Sequence, residues 1–253
     1  MNLLLTNDDS IYAEGLWVLY KRFAKKHSVT VVAPDHDQSA VGHGISVYHP
    51  LRMDEVRVYD RYAGHAVTGT PADCVKLGFG EVLGFKPDMV ISGINPGSNV
   101  GSSVNYSGTA AAAREAALYG VPAIAVSING YEGNHYEDAA LFAEMTAEKV
   151  FENGLPAGTF LNVNIPDIPM REVAGVRVSS QDITANFEFF EKRTDPRNRT
   201  YYWLGSDTRS FEQDSDTDGA AIFRNYISIT PLKCDMTDYS VVEDIKGWFK
   251  SRL

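Results

Sequence analysis

Residues 3–33, "LLLTNDDSIYAEGLWVLYKRFAKKHSVTVVA", decide the fold. The leucine run at 2–7 and the β-branched run at 28–33 read as strands buried on both faces, where hydrophobic residues need not alternate with polar ones. Between them Leu16, Leu19, Tyr20 and Phe23 recur at close to helical spacing, and Lys and Arg crowd the last turns, as suits a helix C-terminus. Together these segments make a βαβ unit. Directly after its first strand stand two adjacent carboxylates, Asp8 and Asp9. Like charges that close repel, so the pair sits either in a solvated turn or around something positive.

The alternation continues outward from that unit. Residues 34–46 read as a polar, glycine-containing loop, followed by extended segments near 55–60 and 65–68. A helix start is marked by Thr70 as N-cap, Pro71 at the first helical position and Asp73 at the third. A strand at 88–93, an alanine-rich helix at 107–120 closed by glycine, a strand at 122–127, a helix at 137–153 and a strand at 159–166 complete the series. The expected fold is α/β: a three-layer, doubly wound, mostly parallel sheet of Rossmann-like type. Past residue 170 the texture changes to aromatic, charge-laced extended segments, "FEFFEKRTDPRNRTYYWLG" and "RNYISITPL", with the acidic run "DSDTDG" between them and a helix at 240–252. One domain is expected over 1–253, with an α/β core at about 1–170 and a C-terminal β-hairpin and helix extension at about 171–253.

Composition narrows the function. The chain of 253 residues carries a formal charge of −10, with 44% hydrophobic and 22% charged residues. Such an acidic balance argues against a polynucleotide duplex as partner, because phosphate backbones need a basic surface. It leaves room for a small anionic substrate where a site supplies local positive charge. No apolar run approaches the roughly 20 residues needed to span a bilayer. Met1-Asn2-Leu3 lacks the basic start of a signal peptide, so the cytoplasm is the expected compartment. Cys74 and Cys234 are too few and too distant for a thiolate metal site; Cys74 reads as a buried structural thiol.

Ligands of open α/β sheets gather outside the carboxyl ends of the strands, near a reversal of strand order. Asp8 and Asp9 follow the first strand, Ser39 lies in the loop after the second, and Asn95 and Asn99, in "SGINPGSNVG", follow the strand at 88–93. Singly, each has an ordinary reading as turn former, N-cap or tight loop. Jointly, two carboxylates, a hydroxyl and an amide carbonyl are hard oxygen donors of the kind Mg²⁺ or Mn²⁺ selects. Zinc suits the chain less well, since none of its six histidines stands at a metal-ligand spacing. His36 reads as a solvated loop residue, and His43, beside two glycines, is a candidate proton carrier. Ser107, Gly108 and Thr109 open a helix, either as a plain cap or as a phosphate cradle of free N–H groups. A cation facing that cradle would clamp a phosphoryl group for in-line displacement by water. The chain has no G-x-x-x-x-G-K-[ST], and no G-x-G-x-x-G follows its first strand.

"TNDDS", "VAPDHDQSAVGHGIS", "TGTPADCVKLG", "SGINPGSNVG" and "YSGTAAAAREAALYGVPAIAVS", taken in order with "FLNVNIP" and "YISITPL", resemble the SurE family of stationary-phase survival proteins. The resemblance implies a metal-dependent phosphomonoesterase acting on nucleoside 5′- and 3′-monophosphates, some members also trimming short polyphosphate. It implies one divalent cation per subunit, Mg²⁺ or Mn²⁺, on Asp8, Asp9, Ser39 and Asn95. Asn99, Ser107, Gly108 and Thr109 match positions near the bound phosphate, so Asp8, Asp9, Asn99, Ser107 and Thr109 form the expected catalytic set. A homodimer or homotetramer built through the C-terminal extension is likewise implied. Two positions depart from the family pattern: Ser10 stands where glycine is usual, and Ala110 follows Thr109 where valine is common. The competing reading is a non-catalytic nucleotide or metal sensor on a flavodoxin-like fold.

Overall fold

Leu3 and Leu5 of β1 (Asn2–Thr6) point to one face of a sheet and Leu4 to the other, and helices cover both, which is why no polar residue interrupts the run. The structure, a computed structural model, describes residues 1–184, 188–206 and 215–249. From β1 the chain passes through α1 (Glu14–Phe23) into β2 (Ser28–Pro34), parallel to β1 with Leu5 opposite Val31. The hairpin of β3 (Met53–Val58) and β4 (Tyr62–Val67) extends that side, β4 lying parallel to β2. α2 (Pro71–Leu77) opens with the expected capping box: the Asp73 N–H donates to Thr70 Oγ1, and the Thr70 N–H donates to the Asp73 carboxylate. Its continuation over Gly78–Leu83 is a π-helical turn.

The chain then crosses to the other side of β1 and adds β5 (Met89–Pro96), α3 (Gly108–Leu118), β6 (Ala123–Asn129), α4 (Tyr136–Asn153) and β7 (Thr159–Pro166). β1, β5, β6 and β7 are parallel neighbours, so the strand order reverses between β1 and β5. Next come β8 (Gly175–Val178), the antiparallel pair β9 (Glu188–Thr194) and β10 (Thr200–Ser206), α5 (Asp218–Phe223), β11 (Tyr226–Lys233) and α6 (Val242–Phe249). β11 runs antiparallel to β7 with Ser228 opposite Asn164, and β8 pairs with the outer edge of β11. The main sheet is thus ordered β3-β4-β2-β1-β5-β6-β7-β11-β8, with β9–β10 as a separate two-stranded sheet. Ile227 of β11 enters the core, but Ser179, Ser228 and Thr230 form a buried hydroxyl cluster. The segment read as extended, "RNYISITPL", is thus a strand of the main sheet beside β7. Phe187, Asp214 and residues 250–252, parts of the motifs and terminal helix read above, lie outside the described residues.

α1 and α4 cover one face of the sheet, packing Leu16, Phe23, Ala140 and Ala143 against Leu3, Leu5 and Ile91. α2 and α3 cover the other, with Cys74, Val75, Ala112 and Ala116 against Leu4 and Val90. The small side chains of α3 let its backbone approach the sheet closely, which carries its N-terminus to the end of β1. Burial raises the Cys74 thiol pKa well above its usual value, so it behaves as an inert core residue. Among the described residues no helix is long and apolar enough to cross a membrane.

β5 runs three residues past the segment read as strand. Its register against β6 shifts between Ser92 and Asn95, and a Cβ at Gly93 (φ +139°) would lie 2.3 Å from the Val126 carbonyl oxygen. Only glycine fits there. The irregularity re-aims the chain beyond it and presents Asn95 at the rim.

Candidate active site

The strand-order reversal leaves a crevice of about 460 Å³ at the carboxyl ends of β1 and β5, lined by Asp8, Ser39, Asn95, Asn99 and Ser107 among others. Five of the residues singled out from sequence therefore share one cavity, though they come from four separate parts of the chain. Asp8 is delivered by the end of β1 and is nearly fully buried. Its Oδ1 accepts a 2.6 Å hydrogen bond from Thr109 Oγ1, and its carbonyl accepts from the Gln38 N–H, which ties down the Ser39 loop. The same loop is pinned farther on by the Gly42 N–H donating to the Tyr106 carbonyl. A Cβ at Gly108 would come within 2.7 Å of Asp8 Cβ, so glycine there is what lets α3 and β1 meet. Ser107 caps α3, its Oγ accepting from the Ala110 N–H.

Asn95 spends its Nδ2 hydrogens on the carbonyls of Pro96 and Gly97, leaving Oδ1 lone pairs for another partner. Asn99 is held on three sides. Its N–H donates to Asn164 Oδ1, its Nδ2 donates to Ser127 Oγ, and its carbonyl accepts from Asn162 and Asn164. Ser10 adopts φ +86°, the left-handed region where the family's glycine would be unstrained, and its carbonyl accepts from Asn7 Nδ2.

The electrostatics are unbalanced. Asp9 Oδ2 is buried and has no hydrogen-bond partner. Burial, then the Asp8 carboxylate, then Asp37 push the Asp9 pKa up to about 8. Burial also raises the Asp8 pKa, against the lowering effect of the Thr109 hydrogen bond. Two adjacent buried acids with an orphaned oxygen fit a hard divalent cation, which would restore both the charge balance and the missing partner. Among the described residues no three His, Cys, Asp or Glu side chains group as a metal site. A cation here would therefore rest on the aspartate pair with the Ser39 hydroxyl and the Asn95 amide oxygen, a set suited to Mg²⁺ or Mn²⁺ rather than zinc.

Other placements differ in kind. Thr109 is fully buried and reaches the crevice only through Asp8, and Asp9 lies behind the lining. His36 is exposed beside Asp35 and Gln38, as the loop composition suggests. His43 Nε2 donates to Glu115 Oε2 at 2.6 Å, and His43 lines a neighbouring cavity instead of this one. Sequence reasoning missed Asn162, Asn164 and Ser127, which anchor Asn99. Their signal was present, since two asparagines alternate with Leu161, Val163 and Ile165 on a strand otherwise built for burial. Tyr106, Tyr131 and Leu204 of β10, also missed, give the crevice an apolar wall. Exposed aromatic residues in loops carry no pattern that marks them in advance.

Known proteins resemble this chain over nearly its whole length. A family model described as "Survival protein SurE" matches residues 3–187. The protein named "5'-nucleotidase SurE" from Desulfatibacillum aliphaticivorans is 52% identical over 248 residues, covering 98% of each chain. Its namesake from Syntrophobacter fumaroxidans is 44% identical, covering 98% of this chain and 99% of the relative. The crystal structure of the SurE protein from Aquifex aeolicus superposes with a TM-score of 0.84 at 37% identity, covering 98% and 99% of the two chains.

Proposed function

The chain belongs to the SurE family, and from that premise we propose that it is a nucleotidase. On this reading it hydrolyses nucleoside 5′-monophosphates to nucleoside and phosphate, with 3′-monophosphates and short polyphosphate as further substrates. It depends on one Mg²⁺ or Mn²⁺ per subunit. The observation that carries the reading is the buried Asp8–Asp9 pair with the orphaned Asp9 oxygen, at the rim of a crevice that also holds Ser39, Asn95, Asn99 and Ser107.

When bound, a divalent cation supplies the positive charge that makes water nucleophilic at neutral pH and offsets the phosphoryl oxygens. Asp8 and Asp9 hold and orient it, Asp8 being fixed by Thr109 Oγ1. Asn99, immobilised by Asn162, Asn164 and Ser127, has little freedom to lose when it meets a phosphoryl oxygen. The positive end of α3 at Gly108 faces the developing negative charge, the Ser107 N–H being already given to the Ser103 carbonyl. Tyr106 and Tyr131, both well exposed at the wall, offer planar faces to a base without reading its edges, which favours broad base acceptance.

Oligomerisation is part of the same proposal. The β9–β10 hairpin exposes Phe189, Phe190, Tyr202, Trp203 and Leu204, and α6 exposes Trp248 and Phe249. A two-stranded sheet this apolar is marginal alone and gains by covering itself against another subunit. Light scattering on the purified chain should give a dimer or tetramer mass.

Release of inorganic phosphate from AMP, measured with Mn²⁺, with Mg²⁺ and in EDTA, tests the activity. Turnover with either metal and its loss in EDTA is the expected result. No phosphate released under any metal overturns the reading in favour of a binding module.

A further inference from the structure

Beside the crevice lies a second cavity of about 150 Å³ whose charge is opposite. Ser107 lines both. Successive residues on one face of α3, Ala110, Ala111 and Arg114, carry the wall of the smaller cavity away from the crevice, and His43 and Lys233 close it. Arg114 has five N–H donors and uses them poorly. Its Nη2 donates to the Cys234 carbonyl at 3.3 Å and contacts the Met236 thioether sulfur, a weak acceptor. Its Nε is buried with no hydrogen-bond partner. Among the described residues no carboxylate bonds to it. The neighbouring acid, Glu115, is taken by Lys76 at 2.5 Å and His43 at 2.6 Å. In a chain with a formal charge of −10, a half-buried guanidinium without a counter-ion is an unspent charge.

We propose that this cavity is a second anion site, taking a phosphate-class oxyanion on the planar fork of Arg114 with Lys233 at its mouth. The guanidinium geometry matches two oxygens of a phosphate at once, which a point charge does not. The cavity, at about 150 Å³, has room for one such ion. Apart from Ser107, which lines both hollows, the site uses none of the proposed catalytic groups, and it does not depend on the nucleotidase reading. Its anion has two possible sources, free orthophosphate or a second phosphate on a substrate seated in the crevice.

The test is calorimetric titration of the full chain with orthophosphate in EDTA, where any contribution of a divalent cation in the crevice is removed. The wild-type chain should bind one phosphate. Arg114→Gln should weaken that binding by about tenfold or more, and the exposed Lys233→Gln by about threefold, with circular dichroism confirming that both fold. Equal affinity in wild type and both variants, or no phosphate bound in EDTA, overturns the proposal. A second arm assigns the source by comparing KM for a nucleoside 3′,5′-bisphosphate and a 5′-monophosphate. A bisphosphate preference that disappears in Arg114→Gln assigns the anion to substrate. Equal KM values beside intact orthophosphate binding assign it to the free ion. Failure of AMP hydrolysis leaves the titration in EDTA unaffected, so the two proposals fail separately.

Discussion

Two hollows flank the start of α3, and they carry opposite unspent charge. The crevice is lined by the buried Asp8, behind which Asp9 keeps an orphaned oxygen, and the smaller cavity holds a guanidinium with an orphaned Nε. Elsewhere Glu144, nearly fully buried, takes Arg22 and Lys26, Glu115 takes His43 and Lys76, and the buried Asp73, Asp182 and Asp218 accept hydrogen bonds from backbone N–H groups. The charged groups at the two adjoining hollows keep a buried atom without a partner, and the proposals above give each of them a ligand. On those proposals the ligands differ in sign, a cation in one hollow and an oxyanion in the other.

The sharpest way to break this contrast is to neutralise the acidic hollow. Asp8→Asn or Asp9→Asn should lower AMP turnover by roughly a thousandfold or more, since each removes a cation ligand and its charge. Retained metal-dependent turnover in both variants would falsify the assignment. Gly108→Ala leaves every polar group in place but drives a methyl into Asp8. Displacing the carboxylate should cost on the order of a hundredfold in kcat/KM, read in the same phosphate-release assay. Tyr131→Ala, at the apolar wall, should raise KM for AMP by about tenfold with kcat little changed, the mark of lost uniform binding.

Acidity sharpens the comparison further. Burial and the Asp8 carboxylate push the Asp9 pKa up to about 8, so at pH 7 a proton would occupy the place of the proposed cation. At limiting Mn²⁺ the activity should rise with pH by up to about tenfold per unit and level off above pH 8. In EDTA the sign of the stability effect is opposite. Between about pH 4 and pH 8 the folded chain holds a proton on Asp9 that the unfolded chain has released, so stability falls as pH rises through that window. Thermal scans of Asp9→Asn in EDTA should lose that slope and show a Tm at pH 8 raised by roughly 2–4 °C. The smallest effect is expected at Ser10→Gly. Relief of the left-handed strain, offset by glycine's greater freedom when unfolded and by the lost Ser10 Oγ bond to the Tyr12 N–H, should stabilise by about 0.5 kcal/mol in urea titrations.

Much of this is visible in the chain before it folds. The βαβ unit at 3–33 stands out because both faces of β1 are buried, and the α2 start because Thr70, Pro71 and Asp73 satisfy one another locally. The places of β11 and β8 in the main sheet are less visible, since Ser228, Thr230 and Ser179 bury hydroxyls that find partners only across strands. The aspartate pair is conspicuous, whereas the asparagines of β7 that hold Asn99 read as ordinary strand residues until β5 and β7 are placed about β6. Arg114 reads as a solvent-facing helix residue, because nothing near it in sequence says that Cys234 and Met236 will roof it over.

By itself the amino-acid order determined the α/β class, the helix caps, the family and the oxygen-rich donor set around Asp8, Asp9, Ser39 and Asn95. These are local patterns, and local chemistry carries them: periodicity, cap hydrogen bonds and residue type act over a few positions. Which of those residues share a cavity, which stand behind it as Thr109 and Asp9 do, and where charge is left without a partner were decided only by the tertiary structure. Compensation of a buried charge depends on groups a hundred positions away, and burial itself exists only once the sheet, its bulge at Gly93 and the close approach at Gly108 are in place.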